Sequence, residues 1–264
     1  MFLRSLSAEL GQPACANCRD GELLDFGIRM AFQPIVDADA RAIYAYEALV
    51  RGEDGSGAAA VLAQVRPQQL YRFDQTCRVQ AIASAARLGL RTRLSINVIP
   101  NAMHEPAACI RLTLAAAERY GVPTGDLIFE LSESEPIRDL AKVVRILRDY
   151  AHRGFLTAID DFGAGHSGLS LLADFQPHLL KLDMAMIRGI DASAPRRHIV
   201  AGIVGMAHAL GCRVLAEGVE TPAEYRALRA LGIGLYQGFL FAMPALEALP
   251  EIPAERWESL EHAS

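Results

Sequence analysis

The sequence lacks any apolar run long enough to cross a lipid bilayer. Its longest mostly apolar stretch, Ile199 to Leu210, contains two glycines and a histidine, and it is shorter than the roughly 20 apolar residues that a spanning helix needs. The first ten residues carry an early arginine, Arg4, but no sustained apolar segment of the kind found in secretion signals. We therefore expect a cytoplasmic protein that has no membrane partner.

The sequence also lacks a long basic block. Its 26 Lys and Arg residues and 31 Asp and Glu residues give a net charge of −5. Because polymeric nucleic acids bind mainly through cationic surfaces, this balance argues against DNA or RNA as a partner. A small phosphate ligand needs only a few local cations and stays compatible with the composition. Hydrophobic residues make up 52% of the chain, which predicts a folded core and not a disordered chain.

Cysteine is scarce, and the five residues are an odd number, so no disulfide framework is predicted. Cys77, Cys109 and Cys212 fall in apolar or helical patterns, and we expect them to be buried small hydrophobic residues. Cys15 and Cys18 form a single C-x-x-C pair in a polar segment. Without a second Cys or His pair nearby, they supply only half of a zinc site. Two alternatives stay open for them: a role in redox chemistry or in a shared metal site, or no special role.

Short apolar runs alternate with segments of helical spacing along most of the chain. Two early runs, Met30 to Pro34 and Ala42 to Leu49, predict a hairpin across the Asp37-Ala38-Asp39 turn. Strands that alternate with helices imply a parallel sheet, and about eight of them predict an α/β fold, a modified (β/α)₈ (TIM) barrel with one antiparallel strand near the N-terminus. We expect an N-terminal extension over residues 1–25, the barrel over 26–247 and a tail over 248–264.

The later elements are bounded by glycine and proline signals. Strands are predicted at Arg93 to Val98, Leu127 to Leu131, Leu156 to Asp160, Leu179 to Leu182, Arg213 to Ala216 and Gly234 to Gln237. Helices are predicted at Phe73 to Leu88, Pro106 to Tyr120, Ile137 to His152, Ser167 to Phe175, Pro195 to Leu210 and from Thr221 onward. The tail is expected to hold two helical pieces broken by proline.

One segment, Leu156 to Gly165, is the basis of the predicted site. A short apolar run ends there in Asp160 and Asp161, and a glycine-rich turn follows. Two carboxylates at the end of a buried strand are costly to hold together unless a cation neutralises them. Taken alone, the pair fits turn or capping acids equally well.

Polar residues recur at the carboxyl ends of the predicted strands, which is where barrel enzymes carry their catalytic groups. Four or five carboxylates with one Asn and no His or Cys form a set of hard oxygen ligands that suits Mg²⁺ or Mn²⁺. Two such ions can stabilise both the attacking and the leaving oxygen of a phosphoester displacement. Lys181 would then orient water or stabilise charge, or it forms a salt bridge with Asp183. The strand-end residues are Glu47, Asn97, Glu130, Asp160 with Asp161, Lys181 with Asp183, Glu217 and Gln237.

The stretch Glu47-Ala48-Leu49-Val50-Arg51 resembles the signature of EAL domains, phosphodiesterases that act on cyclic di-GMP. The resemblance covers about residues 26–245, and this number of ordered blocks is highly specific. The other blocks are Gln33-Pro34, Asn97, Phe129 to Ser134, Asp160 to Gly163, Lys181 to Asp183, Ala216 to Thr221 and Gln237 to Phe239.

The resemblance implies hydrolysis of cyclic di-GMP to linear pGpG in bacterial second-messenger signalling, with two Mg²⁺ or Mn²⁺ ions per site. It assigns Lys181 to positioning the attacking water, Glu217 to assisting as base, and Glu133 to anchoring the loop after Asp161. The implied metal ligands are Glu47, Asn97, Glu130 and Asp160 for one ion, and Asp160, Asp161 and Glu217 for the other. The implied substrate contacts are Gln33, Pro34, Leu49, Arg51, Asp183, Gln237 and Gly238.

The sequence departs from the family pattern at a few positions. Ile99 stands where many members have Ser, and Asn97 to Ala102 is similar to the subgroup often fused to blue-light flavin sensors. His166 and Gly168 replace the commoner Tyr and Ser in the loop after Asp161. These changes bear on regulation and rate more than on the chemistry.

Two further expectations follow from the resemblance. The family commonly dimerises through the helix after the Asp-Asp loop, here Ser167 to Phe175, so we expect a homodimer and allow for a regulatory protein partner. A cyclic di-GMP receptor that does not hydrolyse its ligand is the alternative function, and a metal-dependent barrel acting on another substrate, such as an enolisable acid, is a third. Degenerate members usually lose the signature Glu, one Asp of the pair or the Lys, whereas all of these are present here. We therefore favour a catalytic domain.

Overall fold

The computed structural model describes residues 24–102, 106–133, 137–165 and 168–262. The Cys15–Cys18 pair, His166 and Ser167 lie outside the described residues, so the expectations placed on them stay predictions. Within the described ranges, none of the helices is both long and apolar enough to span a membrane.

A closed barrel forms the centre of the fold, as predicted. The strands follow one another in the order β2-β3-β4-β5-β6-β7-β8-β1, and pairing of β1 with β2 closes the ring. Strand β1 runs antiparallel to both β2 and β8, whereas the pairs from β2 to β8 are parallel. The strands are β1 (Ile28–Asp37), β2 (Ala42–Gly52), β3 (Arg93–Val98), β4 (Leu127–Ser132), β5 (Leu156–Phe162), β6 (Leu179–Leu182), β7 (Arg213–Ala216), β8 (Leu235–Tyr236) and a short outer strand β9 (Ala245–Leu246).

The helices follow the strands, as the alternation predicted. They are α1 (Ala58–Leu62), α2 (Leu70–Arg87), α3 (Pro106–Tyr120), α4 (Leu140–His152), α5 (Gly168–Asp174), α6 (Met184–Ile187), α7 (Ala194–Ala209), α8 (Pro222–Ala230) and α9 (Ala254–His262). Helix α4 begins at Leu140 and not at Ile137, because the Asp139 side chain caps it by accepting from the Lys142 N–H at 2.9 Å. Helix α8 has the predicted Thr221 cap and a proline in its first turn.

The predicted hairpin between β1 and β2 is confirmed. Asp37 holds its turn by accepting from the backbone N–H groups of Asp39 and Ala40, both at 3.1 Å. The prediction of two helical pieces in the tail was wrong. The chain instead forms β9 against β1 and then helix α9, whose Trp257 packs against Phe241 with ring centroids 5.7 Å apart.

The core has two layers because successive strand residues point to opposite faces of the sheet. The outward-facing residues pack under the helices, and there the Phe129 and Tyr150 rings lie 5.1 Å apart. Seven inward-facing residues fill the barrel interior and provide an apolar floor: Ile35, Ala45, Ile128, Ala158, Leu179, Leu215 and Leu235.

Two of the three cysteines that the structure describes are buried as predicted. Cys109 and Cys212 are buried, but Cys77 is only partly buried because it lines a cavity between α2 and the barrel. Cys77 packs against the core as a small hydrophobic residue, as predicted, but it is not buried as the prediction had it.

Candidate active site

A ring of polar side chains lies two residues beyond the apolar floor on almost every strand. The two-residue step keeps these side chains on the inward face, so the fold itself brings them together at the carboxyl end of the parallel strands. We call this set the polar layer: Gln33, Glu47, Asn97, Glu130, Asp160, Lys181, Glu217 and Gln237.

The Lys181 ammonium group lies at the centre of the polar layer, and its side chain is only 1% exposed. Its Nζ lies 2.8 Å from Glu130 Oε2, 3.0 Å from Asp160 Oδ1, 2.8 Å from Glu217 Oε1 and 3.8 Å from Glu47 Oε2. Burial by itself lowers the pKa of Lys181, but the four carboxylates outweigh burial and hold that pKa well above its ordinary value. Lys181 is therefore a charged lysine that neutralises part of an acidic cluster.

Asp183 is not among the ion-pair partners of Lys181 in the part of the chain that is described. Its Oδ1 instead accepts from the Ala185 N–H at 2.8 Å and caps helix α6. The salt bridge that sequence reasoning left open for Lys181 is thus formed with the cluster acids and not with Asp183.

One lysine cannot neutralise four buried carboxylates, and the carboxyl groups respond in opposite directions. Burial, followed by repulsion from Glu47 and Asp160, raises the pKa of Glu130 to about 8 against the opposing effect of Lys181. Burial and the nearby Asp160 raise the pKa of Glu217 well above its ordinary value. Burial also favours the protonated form of Asp160, but Lys181 and a hydrogen bond with Glu217 outweigh it and lower the pKa of Asp160. The raised pKa values of Glu130 and Glu217 mean that protons relieve part of the negative charge of the metal-free cluster, and bound cations would replace those protons.

Two adjacent groups of carboxylates have the spacing needed to hold metal ions. Oxygens of Glu47, Glu130 and Asp160 lie within 4.8 Å of one another, and so do oxygens of Asp160, Asp161 and Glu217. Both groups share Asp160, as in the two predicted ligand sets. Ligand sets made only of oxygen suit Mg²⁺ and Mn²⁺. The residues present therefore fit a pair of hard divalent cations.

Amide side chains orient the Glu47 carboxylate from two sides. Asn97 Nδ2 donates to Glu47 Oε1 at 2.8 Å, and Gln237 Nε2 donates to Glu47 Oε2 at 2.8 Å. Gln237 Nε2 also lies 3.2 Å from Gln33 Oε1, and Gln33 Nε2 donates to the Ala242 carbonyl at 3.1 Å. Gln237 Oε1 is buried without a hydrogen-bond partner among the described residues. An acceptor left in this state is available to a ligand or a metal-bound water.

A break in the register of β5 allows two consecutive acids to serve one site. Regular alternation would point Asp160 and Asp161 to opposite faces, but the pairing of β5 with β6 shifts between Ile159 and Phe162, and Asp161 adopts a left-handed φ of 55°. The Asp161 N–H donates to Asp160 Oδ1 at 2.9 Å, and Ser132 Oγ donates to Asp161 Oδ2 at 2.8 Å. The bulge thus brings both carboxylates into the group that they form with Glu217.

Glu133 connects the end of β4 to the loop that follows Asp161. Its two carboxylate oxygens accept from the N–H groups of Gly163 and Gly168, each at 2.9 Å. A Cβ on Gly168 would lie 2.5 Å from the Glu133 carboxyl carbon, and one on Gly165 would lie 2.5 Å from the Glu133 backbone oxygen. Gly168, which stands where the family commonly has Ser, therefore leaves room for the Glu133 carboxylate. The hydrogen bonds of Glu133 to the N–H groups of Gly163 and Gly168 are those expected of a residue that anchors this loop.

The predicted substrate contacts lie at different distances from the polar layer. Gln33 belongs to it, while Leu49 and Arg51 lie beyond Glu47 on β2, where Arg51 Nη1 donates to the Val50 carbonyl at 2.8 Å. Pro34 lies opposite Tyr46, on the outer face of the barrel wall. The fold thus does not bring Pro34 into the site.

Gly238, another predicted substrate contact, packs closely against the backbone. A Cβ at this position would lie 2.1 Å from the Val219 carbonyl oxygen. This close approach explains why a glycine follows Gln237, and it requires no ligand.

A cavity of about 300 Å³ opens beside Glu47 and Asn97, with mostly apolar walls that include Leu49, Phe73 and Cys77. Asp74, on α2, also lines it. This cavity lies next to the acidic cluster and enlarges the space available to a ligand.

Sequence reasoning missed Asp74, which connects α2 to the loop after Asn97. Asp74 Oδ1 accepts from the Ile99 N–H at 3.0 Å, and Asp74 Oδ2 lies 2.7 Å from Arg78 Nη2 in a buried ion pair. The sequence signal was an acid and a base four residues apart inside an otherwise buried helix. It also missed Ser95, a buried serine on β3 that contacts Glu130.

The chain matches known proteins over most of its length. The family model described as EAL domain matches residues 22–244. The blue light- and temperature-regulated antirepressor BluF of Escherichia coli is 33% identical over 84% of this chain, and a cyclic di-GMP phosphodiesterase of Pseudomonas aeruginosa is 31% identical over 83%. The chain spans only 55% and 39% of the lengths of these two relatives.

Solved structures match the fold closely. A standalone EAL protein from Vibrio cholerae, solved with c-di-GMP bound, has a TM-score of 0.86 and 48% identity over 89% of this chain and 99% of that chain. Klebsiella pneumoniae BlrP1 in a complex with manganese and cyclic di-GMP has a TM-score of 0.81 and 35% identity, over 87% of this chain and 59% of that chain. Together with the family match and the geometry of the polar layer, these similarities show that the chain belongs to the EAL domain family.

Proposed function

We propose that the chain is a metal-dependent phosphodiesterase that hydrolyses cyclic di-GMP to linear pGpG. The observation that supports this most directly is the pair of adjacent carboxylate groups that share Asp160 and surround Lys181. Relatives with about 30% identity are named cyclic di-GMP phosphodiesterases, and a neighbouring structure holds manganese and the dinucleotide.

One Mg²⁺ or Mn²⁺ ion would be held by Glu47, Asn97, Glu130 and Asp160. The second ion would be held by Asp160, Asp161 and Glu217. When bound, such a metal pair makes water a stronger nucleophile and polarises the phosphate. The remaining contributions come from the side chains of this chain.

Lys181 and Glu217 are the two residues to which we assign proton and charge handling. The Lys181 ammonium has three N–H donors, so it is suited to orient the attacking water and to stabilise negative charge on the phosphate. Glu217 lies 2.8 Å from Lys181, and its pKa is raised by burial and by Asp160. An ionised carboxylate with a raised pKa is a stronger base near neutral pH, which suits Glu217 to accept the water proton.

Other residues would bind the dinucleotide itself. Arg51 is suited to pair with a phosphate through charge-assisted hydrogen bonds, and Leu49 lies where the apolar cavity meets the acidic cluster. We assign one base of the ligand to this cavity, because its mostly apolar walls favour a flat ring. Further polar contacts with the dinucleotide would come from Gln33, Gln237 and Asp183.

We further propose a cytoplasmic homodimer formed through α5 and α6. Leu169 on α5 is 66% exposed and Met184 on α6 is 52% exposed, so each helix presents an apolar side chain that a second copy would cover. Analytical ultracentrifugation of wild type and Leu169→Glu tests this directly. A dimer that is lost in the variant supports the face, and an unchanged dimer contradicts it.

A receptor that binds cyclic di-GMP without hydrolysis, and signals through a protein partner, is the second candidate. It is favoured by one observation, namely that the relative BluF is named an antirepressor and not a phosphodiesterase. The presence of Glu47, Asp160, Asp161 and Lys181 in one cluster favours catalysis over this alternative.

Chromatography of cyclic di-GMP incubated with the protein and Mn²⁺ or Mg²⁺ decides between the two. The proposal predicts pGpG that is lost with EDTA and in Glu47→Gln but retained in Glu118→Gln, a matched change on the exposed side of α3. Binding without product would favour the receptor, and neither binding nor product would contradict the assigned substrate.

A further inference from the structure

Ser95 is a fully buried hydroxyl inside the barrel wall. It lies on β3, two residues before Asn97, and pairs in register with Glu47 on one side and Ile128 on the other. A hydroxyl in this position must find a partner, because an unpaired buried polar group destabilises the fold. Ser95 finds that partner in the acidic cluster and not in the backbone.

The Ser95 hydroxyl contacts one oxygen of the Glu130 carboxylate while the lysine contacts the other. Ser95 Oγ donates to Glu130 Oε1 at 2.5 Å, and Lys181 Nζ donates to Glu130 Oε2 at 2.8 Å. Glu130 is itself fully buried. With both oxygens bound, rotation of the carboxylate about its terminal bond is restricted, and its orientation is fixed relative to Glu47 and Asp160.

We propose that Ser95 is a positioning residue that orients Glu130 for metal binding, an inference that rests on the proposed function. The other cluster acids also accept hydrogen bonds: Glu47 from Asn97, Asp160 from the Asp161 N–H, and Asp161 from Ser132. Glu130 accepts from Lys181 on one oxygen and from Ser95, which is not an implied ligand, on the other.

Removing such a supporting hydrogen bond typically lowers metal affinity about 10–100-fold. We therefore expect Ser95→Ala to weaken Mn²⁺ binding by that factor in calorimetric titration. Ser84→Ala is the matched control, because Ser84 is also buried and hydrogen-bonded, at 2.9 Å to Arg87, but lies on α2 away from the cluster. The affinity of Ser84→Ala should equal that of wild type.

A double-mutant cycle shows whether Ser95 acts through Glu130. If it does, Ser95→Ala should weaken Mn²⁺ binding in the wild-type background but have little further effect in a Glu130→Ala background. In that background the carboxylate group of Asp160, Asp161 and Glu217 is still present to bind Mn²⁺. An equal loss of affinity in both backgrounds would overturn the proposal, as would unchanged Mn²⁺ affinity in Ser95→Ala.

Melting temperatures in EDTA separate positioning from a purely structural role. A purely structural serine would lower the melting temperature of the metal-free protein and leave Mn²⁺ affinity unchanged, and that result would also overturn the proposal. If wild type itself binds no Mn²⁺, the proposed function fails. If wild type binds Mn²⁺ and Ser95→Ala binds it equally well, only the role of Ser95 fails.

Discussion

Replacing Lys181 by methionine tests the electrostatic organisation of the site in the absence of metal. Methionine has a similar length and volume but no charge, so the change removes the ammonium group and little else. Four carboxylates within 2.8–3.8 Å of Lys181 Nζ would then lose their shared counter-ion. We expect the metal-free protein to be strongly destabilised at neutral pH.

The size of the effect follows from the burial of the cluster. Removing one partner of a buried ion pair costs about 3–5 kcal/mol, because the remaining charge stays buried without compensation. In a domain of this size, a loss of about 1 kcal/mol lowers the melting temperature by about 2–4 °C. Lys181→Met should therefore melt roughly 6–20 °C below wild type in EDTA.

Thermal denaturation of the two proteins in EDTA and in Mn²⁺ is the assay. The control is Lys142→Met, because Lys142 on α4 is the only other lysine of the sequence and lies outside the cluster. Mn²⁺ should reduce the difference between Lys181→Met and wild type, since bound cations replace the missing charge. A Lys181→Met protein that melts in EDTA at the same temperature as Lys142→Met would refute the role of Lys181 as counter-ion.

Three other predictions follow from the structure. Burial raises the pKa of Glu130 to about 8, so between about pH 5 and 8 the folded metal-free protein holds a proton that the unfolded chain releases. The free energy of unfolding in urea should therefore decrease as pH rises over this range. A free energy of unfolding that increases over the same range would contradict the raised pKa. Arg78→Met should cost about 3–5 kcal/mol in urea denaturation because it leaves Asp74 buried without its cation, whereas an unchanged midpoint would show that this ion pair contributes nothing. Gly238→Ala should cost about 1–3 kcal/mol because its Cβ would meet the Val219 carbonyl, and full stability would contradict that contact.

The barrel could be predicted from sequence because its signals are local. Apolar runs bounded by glycine gave the strands, and the turn at Asp37 gave the antiparallel hairpin. Most of the polar layer was equally predictable, because the carboxyl ends of parallel strands must meet at one end of a barrel. Gln33, on the antiparallel strand β1, was implied only by the resemblance to the family. Once the strand ends were known, the convergence of Glu47, Glu130 and Lys181 followed from the fold.

Features that depend on three-dimensional contacts could not be predicted in the same way. The bulge that turns Asp161 toward Asp160 depends on a register shift between β5 and β6, which no local pattern reports. The resemblance to the family implied that Gln33 and Pro34 both contact the substrate, yet strand alternation places them on opposite faces. Ser95 and Asp74 resemble ordinary core and helix residues, and only their contacts with Glu130 and Ile99 relate them to the site.

Metal-dependent hydrolysis at this site is tested by chromatographic detection of pGpG from cyclic di-GMP, comparing wild type with Glu47→Gln in Mn²⁺ and in EDTA. We predict product only from wild type with metal, because Glu47 belongs to the carboxylate group that it forms with Glu130 and Asp160. Product formed by Glu47→Gln at the wild-type rate, or by wild type in EDTA, would contradict it.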